Sequence, residues 1–406
     1  MTGEPPATSD GPLAGLRVLD AATMIAGPTV GRLLGDFGAD VVKIEHPAHG
    51  DALRSHGLRE DGDSLWWKMI GSNKRCLGLD LGEPAGAGLL LRLVERFDVL
   101  IEGFRPGTLE RYGLGWERLR AANPGLILLR MTGFGQTGPY ARRPAFGTLI
   151  EAMSGFAHLT GQPDGPPTLP PFGLADSIAG ISGFAAVLTA LYARDARGGE
   201  GQVIDLSILE TMTATLGPES IGYDRLGVVN KRSGNRSTSN APRNTYLTKD
   251  GRWVALSSSA TSIAERLMRL VGHPEVIDEP WFSRGYQRAA HADLLDGYVQ
   301  EWVGARTLDE VVAAFEREGV AGSPVYDIAQ LVNDPHSRER EIFTPVPDDE
   351  FGRARMPNVL FRLSRTPGRI RHSGRAFGSH TREILAGELE LSAEEISDLA
   401  RRGVIG

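Results

Sequence analysis

Strand-like and helix-like segments alternate through the first third of this chain, and no other feature limits its fold as tightly. LRVLDA (16–21), ADVVKIE (39–45), CLGLDL (76–81), DVLIEGF (98–104) and GLILLRM (125–131) carry the apolar text of buried strands. Between them lie helical stretches of about ten residues, such as PTVGRLLGDFG (28–38), with proline at its start, and GAGLLLRLVERF (86–97). Short strands separated by helices of that length build βαβ units on a parallel sheet. The expected class is therefore α/β. No G-x-G-x-x-G follows the first strand, which runs into A-T-M-I-A-G-P-T. The shape of a dinucleotide fold is predicted without its phosphate fingerprint.

At 406 residues the chain is too long for one ordinary core, so two bodies are expected. Thr132 to Pro171 is rich in Gly and Pro, including G-F-G-Q-T-G-P and then R-R-P, and reads as loop close to a site. Gly217 to Asn244 is polar and rich in Gly, Ser and Asn, which suggests a linker. Thr245 to about Pro324 reads as a smaller α+β unit. It opens on the hairpin NTYLTKDGRWVALSS, whose Lys249-Asp250-Gly251 supplies the turn, and continues with helices near Ile263–Val271 and Leu308–Glu318. The tail from Phe351 returns to strand-like text and closes on SAEEISDLARRG, a helix with a Ser-x-x-Glu capping box.

Lys plus Arg number 44 against 51 Asp plus Glu, a formal charge of −7, which leaves no basic excess for nucleic acid. A small phosphorylated ligand needs only local cations and stays open. The single cysteine, Cys76, excludes an intrachain disulfide framework and a cysteine zinc site, and it fits a reducing cytoplasm. It leads a hydrophobic run and reads as core packing rather than a reactive thiol. The uncharged stretch Ser177–Ala193, broken by Gly and Ser, falls short of the ~20 apolar residues of a membrane span and reads as a buried helix. MTGEPPATSDGP has neither a basic start nor an apolar core, so residues 1–11 read as a disordered lead and not a signal peptide.

Asp176 stands in P-P-F-G-L-A-D-S-I-A-G, where a Pro/Gly loop enters an apolar helix. One reading is a helix N-cap, since Asp accepts a backbone N–H there and suits the positive helix end. The other is a carboxylate nucleophile, ionised and surrounded by backbone donors. Lys74 within Asn73-Lys74-Arg75, and Arg105 and Arg111 around Pro106-Gly107, lie near strand ends, where cations hold phosphates or merely face solvent. Lys43, Glu45, His46, His49, Asp51 and Arg54 form a polar cluster after the second strand. His46 and His49 on a Pro/Gly loop have no evident third ligand, so no metal is expected. No G-x-S-x-G is present, and no His lies near Cys76 in sequence.

These segments together resemble the class III CoA-transferase family (CaiB/BaiF type), which contains formyl-CoA transferase, carnitine CoA-transferase and α-methylacyl-CoA racemase. The resemblance runs from Pro12 to Ile405 through blocks in order: P-L-A-G-L-R-V-L-D with A-G-P (26–28), G-A-D-V-V-K-I-E, S-N-K-R (72–75), F-R-P-G-T-L-E-R-Y-G-L (104–114), G-F-G-Q-T-G-P-Y, G-L-A-D-S-I-A-G, G-E-G-Q-V-I-D-L-S-I-L-E and G-S-H-T-R-E-I-L.

The resemblance implies a Rossmann-like large domain built from both chain ends (12–216 and 325–406), a linker (217–244) and a small domain (245–324). It also implies a homodimer of interlocked chains, with the site between domains and subunits. Asp176 matches the family's catalytic aspartate, which exchanges CoA through a mixed anhydride and an aspartyl-CoA thioester. CoA contacts carry over to Ile25 and Ala26 near the thiol end, and to Gly71, Lys74, Phe104, Arg105 and Arg111. His46 stands where some members have arginine. CoA is a substrate here, with no cofactor bound permanently and no metal. Racemases of the family carry Gly-His-Asp where this chain has Ala145-Phe146-Gly147, and phenylalanine cannot carry a proton. The formyl-CoA branch has glutamate at Gly147, so oxalate is not expected as acceptor, and the branch using succinyl-CoA is nearer. A racemase of the same family, a nucleotide-binding oxidoreductase and a non-catalytic CoA-binding protein are the alternatives. The missing glycine fingerprint opposes the oxidoreductase, and the intact G-L-A-D opposes the non-catalytic protein.

Overall fold

A computed structural model describes residues 11–60 and 62–406. The expected lead falls outside the described residues except at Gly11. Six strands form one sheet: β1 (Arg17–Asp20), β2 (Asp40–Glu45), β3 (Lys74–Gly78), β4 (Val99–Glu102), β5 (Ile127–Thr132) and β6 (Val203–Ser207). Every pairing is parallel, in the order β3-β2-β1-β4-β5-β6, with Val18 beside both Val41 and Val99. The chain winds outward from β1 to β3, returns, and winds the other way through β4 to β6. This is the doubly wound arrangement, and its switch point lies between β1 and β4. The strands read as near-continuous apolar runs because helices cover both faces of such a sheet. Leu19, Leu100, Leu128, Leu90, Leu93 and Ile384 pack into the main core.

The helix Leu174–Arg197 is long and apolar enough to cross a bilayer, yet Ala175, Ala179, Gly180, Gly183, Phe184 and Val187 are buried within the protein. It packs on the helix Ala26–Asp36, which is two residues earlier at its start than the proline-led stretch suggests. Gly180 makes that approach possible: a Cβ there would lie 2.6 Å from Thr29 Cγ2. Close packing of these two helices fixes the level at which Asp176 meets the loop after β1.

Beneath that loop, Lys74 Nζ donates to Asp20 Oδ2 at 2.8 Å and to the Pro28 carbonyl at 2.6 Å. Lys43 Nζ pairs with Asp51 at 3.0 Å and donates to the Ala22 carbonyl, and Asp51 Oδ1 accepts from Met24 N–H at 3.0 Å. All four ionic side chains are buried. Charges removed from water persist only when paired and hydrogen-bonded, so this network dictates the loop's path, including the left-handed Met24 at φ +67°.

The first compact unit continues to Gly155 and adds Pro170–Gly217 and Arg340–Gly406. Its tail contributes the antiparallel pair β10 (Phe343–Asp348) and β11 (Gly352–Pro357), and the helix Ala393–Arg401, whose capping box pairs Ser392 with Glu395. The C-terminus returns to β3, where Gly406 N–H reaches the Gly78 carbonyl at 3.3 Å.

The second unit is Phe156–Leu169 with Pro218–Glu339, wider than the expected 245–324. The stretch 217–244 is not an unstructured connection: it holds the helix Glu219–Leu226 and the start of β7 (Arg243–Leu247). Gly234 N–H bonds to the Gly161 carbonyl at 2.9 Å, and Arg232 Nη1 to the His158 carbonyl at 3.1 Å, which ties in the earlier segment. β7 pairs antiparallel with β8 (Trp253–Ser257), and β8 with β9 (Gly322–Pro324). The hairpin turns where Lys249-Asp250-Gly251 predicts, with Gly251 at φ +74°. Helices Thr261–Val271, Ala292–Gly304 and Leu308–Glu318 bury Leu267, Val299 and Phe315 in its core.

Candidate active site

A cleft opens at the carboxyl ends of β1 and β4, where a doubly wound sheet leaves a crevice at its switch point. Its walls come from Ala22–Gly27 after β1, Gly103–Pro106 after β4, Met131–Gly133, Ala141 and Arg143–Phe146 around and after β5, and Asp176 and Ile208. Each loop is held from below. The buried ion network fixes the first. Phe104 N–H donates to Glu102 Oε2 at 2.6 Å, and Glu102 is clamped by Arg130 Nε at 2.6 Å. The Gly-rich third loop is tied by Gln136 N–H to both Asp205 oxygens, at 3.0 and 3.1 Å.

Six residues singled out from sequence thus share one wall: Ile25, Ala26, Phe104, Arg105, Phe146 and Asp176. Thr23 and Phe104 also border a second cleft, lined by His46, His49, Asp80, Leu81 and Tyr112, so the two make one track. His46 stacks on His49 with ring centroids 4.1 Å apart, and its Nε2 lies 3.5 Å from Asp80 Oδ2.

Asp176 is not the helix N-cap. That position is Gly173, and Asp176 is the third helical residue. Its carboxyl is half-buried and lies against Gly147, where a Cβ would come within 2.7 Å of Oδ2. Gly147 begins the helix Gly147–Met153, and one turn on, the buried Glu151 accepts a hydrogen bond from Ala175 N–H at 3.1 Å. Burial first, and the charge of Glu151 second, push the Asp176 carboxyl up to about 6. The expectation that backbone donors surround this carboxylate is corrected here, since burial and a second carboxylate dominate its surroundings. A helix N-terminus contributes up to about 1 kcal/mol at such a site, less than desolvation beside a second carboxylate costs the charge.

Three expected CoA contacts stand elsewhere. Lys74 is enclosed against Asp20 and Pro28 with no exposed surface, and burial pushes its ammonium below the ordinary lysine value. It holds the fold and cannot reach a phosphate in this geometry. Its neighbours are structural too, Asn73 bonding Asp36 and Arg75 pairing with Asp40. Gly71 caps the end of the helix Leu65–Ile70 and packs on Trp67. Arg111 is exposed beside Tyr112 of the second cleft, with Nη2 donating to Thr108 Oγ1 at 2.8 Å. Cys76 is buried, and desolvation pushes its thiol up to about 12.

Two residues escape the sequence reading. Arg143 lines the cleft and stacks on Tyr140 at 3.7 Å, with no ion-pair partner among the described residues. The R-R-P after the Gly-rich loop was its only signal. Glu151 carried none, because it lies in the stretch 132–171 that reads as loop, whereas the chain forms the helices Gly147–Met153 and Phe156–Leu159 there. Among the described wall residues the only carboxylate is Asp176, and none is His, Cys or Lys. Such a cleft suits nucleophilic chemistry on a carbonyl rather than proton relay between two bases.

The description CoA-transferase family III matches residues 13–381. The chain is 40% identical over 395 residues to succinyl-CoA–D-citramalate CoA-transferase of Chloroflexus aurantiacus, covering 97% of this chain and 98% of that protein. It is 41% identical to the succinyl-CoA–L-malate CoA-transferase beta subunit of the same organism, over 97% and 98% of the two chains. The crystal structure of a CAIB/BAIF family protein from Brucella suis superposes with a TM-score of 0.81 at 31% identity, over 94% of this chain and 100% of that one.

Proposed function

Because the chain belongs to CoA-transferase family III, we propose that it transfers CoA from succinyl-CoA to a second dicarboxylic acid, with Asp176 as the covalent carrier. The observation that carries this is the Asp176 carboxyl itself, the one acidic group on the described cleft wall, facing bare backbone at Gly147.

An Asp176 oxygen attacks the thioester carbonyl, the C–S bond breaks, and its electron pair leaves on sulfur as the CoA thiolate. The product is an aspartyl-succinyl anhydride. The thiolate then attacks the aspartyl carbonyl, releasing succinate and leaving an aspartyl-CoA thioester. The acceptor carboxylate attacks that thioester, and the thiolate freed again attacks the acceptor's carbonyl, which regenerates Asp176. Each step exchanges one anion for another, so no proton, electron or metal enters the balance.

The pantetheine end of CoA lies at Ile25 and Ala26, and its nucleotide extends past Phe104 toward His46, Arg105 and Arg111. Arg143 offers its guanidinium to the far carboxylate of a dicarboxylic acid, the geometry such a fork recognises. Racemisation at the α-carbon is disfavoured, since Phe146 stands on the wall beside Asp176 and brings no titratable group. An interlocked homodimer is the assembly we favour. What supports it is the helix Glu219–Leu226, which buries none of its residues while exposing Ile221, Tyr223 and Leu226.

The test mixes the enzyme with succinyl-CoA alone, quenches, reduces with borohydride and maps peptides by mass. Modification at Asp176 is expected. An unmodified Asp176 in an enzyme that turns over acceptors sinks the assignment.

A further inference from the structure

A buried glutamate with no cation paired to it among the described residues lies behind the nucleophile. Glu151 is 1% exposed, and its Oε1 takes the N–H of Ala175, the residue before Asp176. The first-turn amides of a helix are free donors, and a carboxylate on that turn ordinarily draws on them. Here one is occupied from outside the helix, and no hydrogen bond lowers the Asp176 pKa.

We propose that Glu151 is a positioning residue for Asp176: it claims the Ala175 amide and sets a second negative charge behind the carboxylate, which destabilises the resting anion and directs it toward the thioester. The inference rests on the reading of Asp176 as carrier. In the attack, the Asp176 oxygen forms its bond to the acyl carbon and its charge passes to the carbonyl oxygen and then to sulfur. In the anhydride and the aspartyl thioester, Asp176 is neutral. Repulsion from Glu151 is felt in the resting enzyme and relieved along the reaction, which is differential stabilisation of the transition state. No proton moves and no redox change occurs.

Other charged groups on the elements around Asp176 are Arg32 and Asp36 on the helix Ala26–Asp36, Glu210 on the helix Ile208–Ala214, and Arg105 and Arg143 on the cleft rim. Of these and Glu151, it is the charge of Glu151 that, after burial, raises the Asp176 carboxyl.

Glu151→Gln keeps an oxygen for the Ala175 amide and removes the charge. Its acid limb of kcat/KM against pH, with succinyl-CoA as substrate, should move down by at least about half a pH unit. Single-turnover formation of the Asp176 adduct at pH 8 should slow by about three- to thirtyfold. Glu151→Asp, which keeps the charge, should leave the limb in place, and it serves as well where the Gln variant folds poorly. A Gln variant with an unmoved limb and wild-type adduct rate, or an Asp variant whose limb shifts like the charge-free one, overturns the proposal. Adduct mapping separates the two failures. A wild-type enzyme without an Asp176 adduct defeats the carrier reading and this inference together, whereas an adduct with an unmoved limb defeats this inference alone.

Discussion

Asp176 rests against the bare backbone of Gly147, so closely that a single added methyl carbon would stand 2.7 Å from its Oδ2. Gly147 starts a helix in a backbone conformation any residue can adopt, so the space and not the φ angle calls for glycine. Gly147→Ala should therefore keep the melting temperature within a few degrees while displacing the carboxyl. Transfer should fall by about 10- to 100-fold, as expected for a nucleophile moved by a fraction of an ångström. Wild-type kcat/KM in a well-folded variant would show that the contact has no role.

Removing the Asp176 charge should separate activity from stability. The carboxyl sits at about 6 in the folded chain against 3.8 for an ordinary aspartate. A raised carboxyl penalises the folded state only where it is ionised: not below about pH 4, increasingly between 4 and 6, and in full above 6. Asp176→Asn should abolish adduct formation and lower turnover by several orders of magnitude. It should also stabilise the protein above pH 6 by about 1–2 kcal/mol, a value kept small because solvent reaches the carboxyl, and not at all near pH 4. Thermal unfolding at pH 4 and 8 checks the sign, and equal shifts at both would contradict it.

Lys74 and Arg105 should behave oppositely. Lys74→Met leaves Asp20 buried without its partner and should cost about 3–5 kcal/mol of stability. Arg105 is exposed and has no ion-pair partner among the described residues, so Arg105→Ala should leave the melting temperature unchanged. It should raise KM for acyl-CoA about tenfold, the loss of one charge-assisted hydrogen bond. Denaturant unfolding and initial rates on both variants decide the matter. A stable Lys74→Met enzyme with raised KM would reverse the two roles.

Arg143→Gln should discriminate between acceptors. If its guanidinium holds a second carboxylate, KM for a dicarboxylic acceptor should rise by about 10- to 100-fold while a monocarboxylic acceptor of equal length is little affected. Equal losses for both acids would place Arg143 on CoA instead.

Chains that thread through one another separate only by unfolding, so dilution should not yield folded monomers. Sedimentation at nanomolar concentration should show a dimer, and an active monomer there would remove the interlocked assembly.

Local chemistry alone decides much of this protein. Periodicity places strands β1 to β5, because each is buried on both faces and must be apolar along its length. The Lys249-Asp250-Gly251 turn, the Leu308–Glu318 helix and the capping box at Ser392 are written in a few adjacent residues. Asp176 stands out for the same reason, since a carboxylate where a Pro/Gly loop meets an apolar helix is visible in a short window. What the chain does not announce is where charges go once it folds. Lys74 and Arg105 are both cations near strand ends in sequence, yet one is sealed against Asp20 and the other opens on the cleft. Glu151, unremarkable on its helix, comes to lie behind Asp176 only because that helix packs against Leu174–Arg197. The carboxyl's pKa follows from that packing. Burial and Coulomb energy depend on distances through space between residues far apart in the chain, and those distances exist only in the folded state.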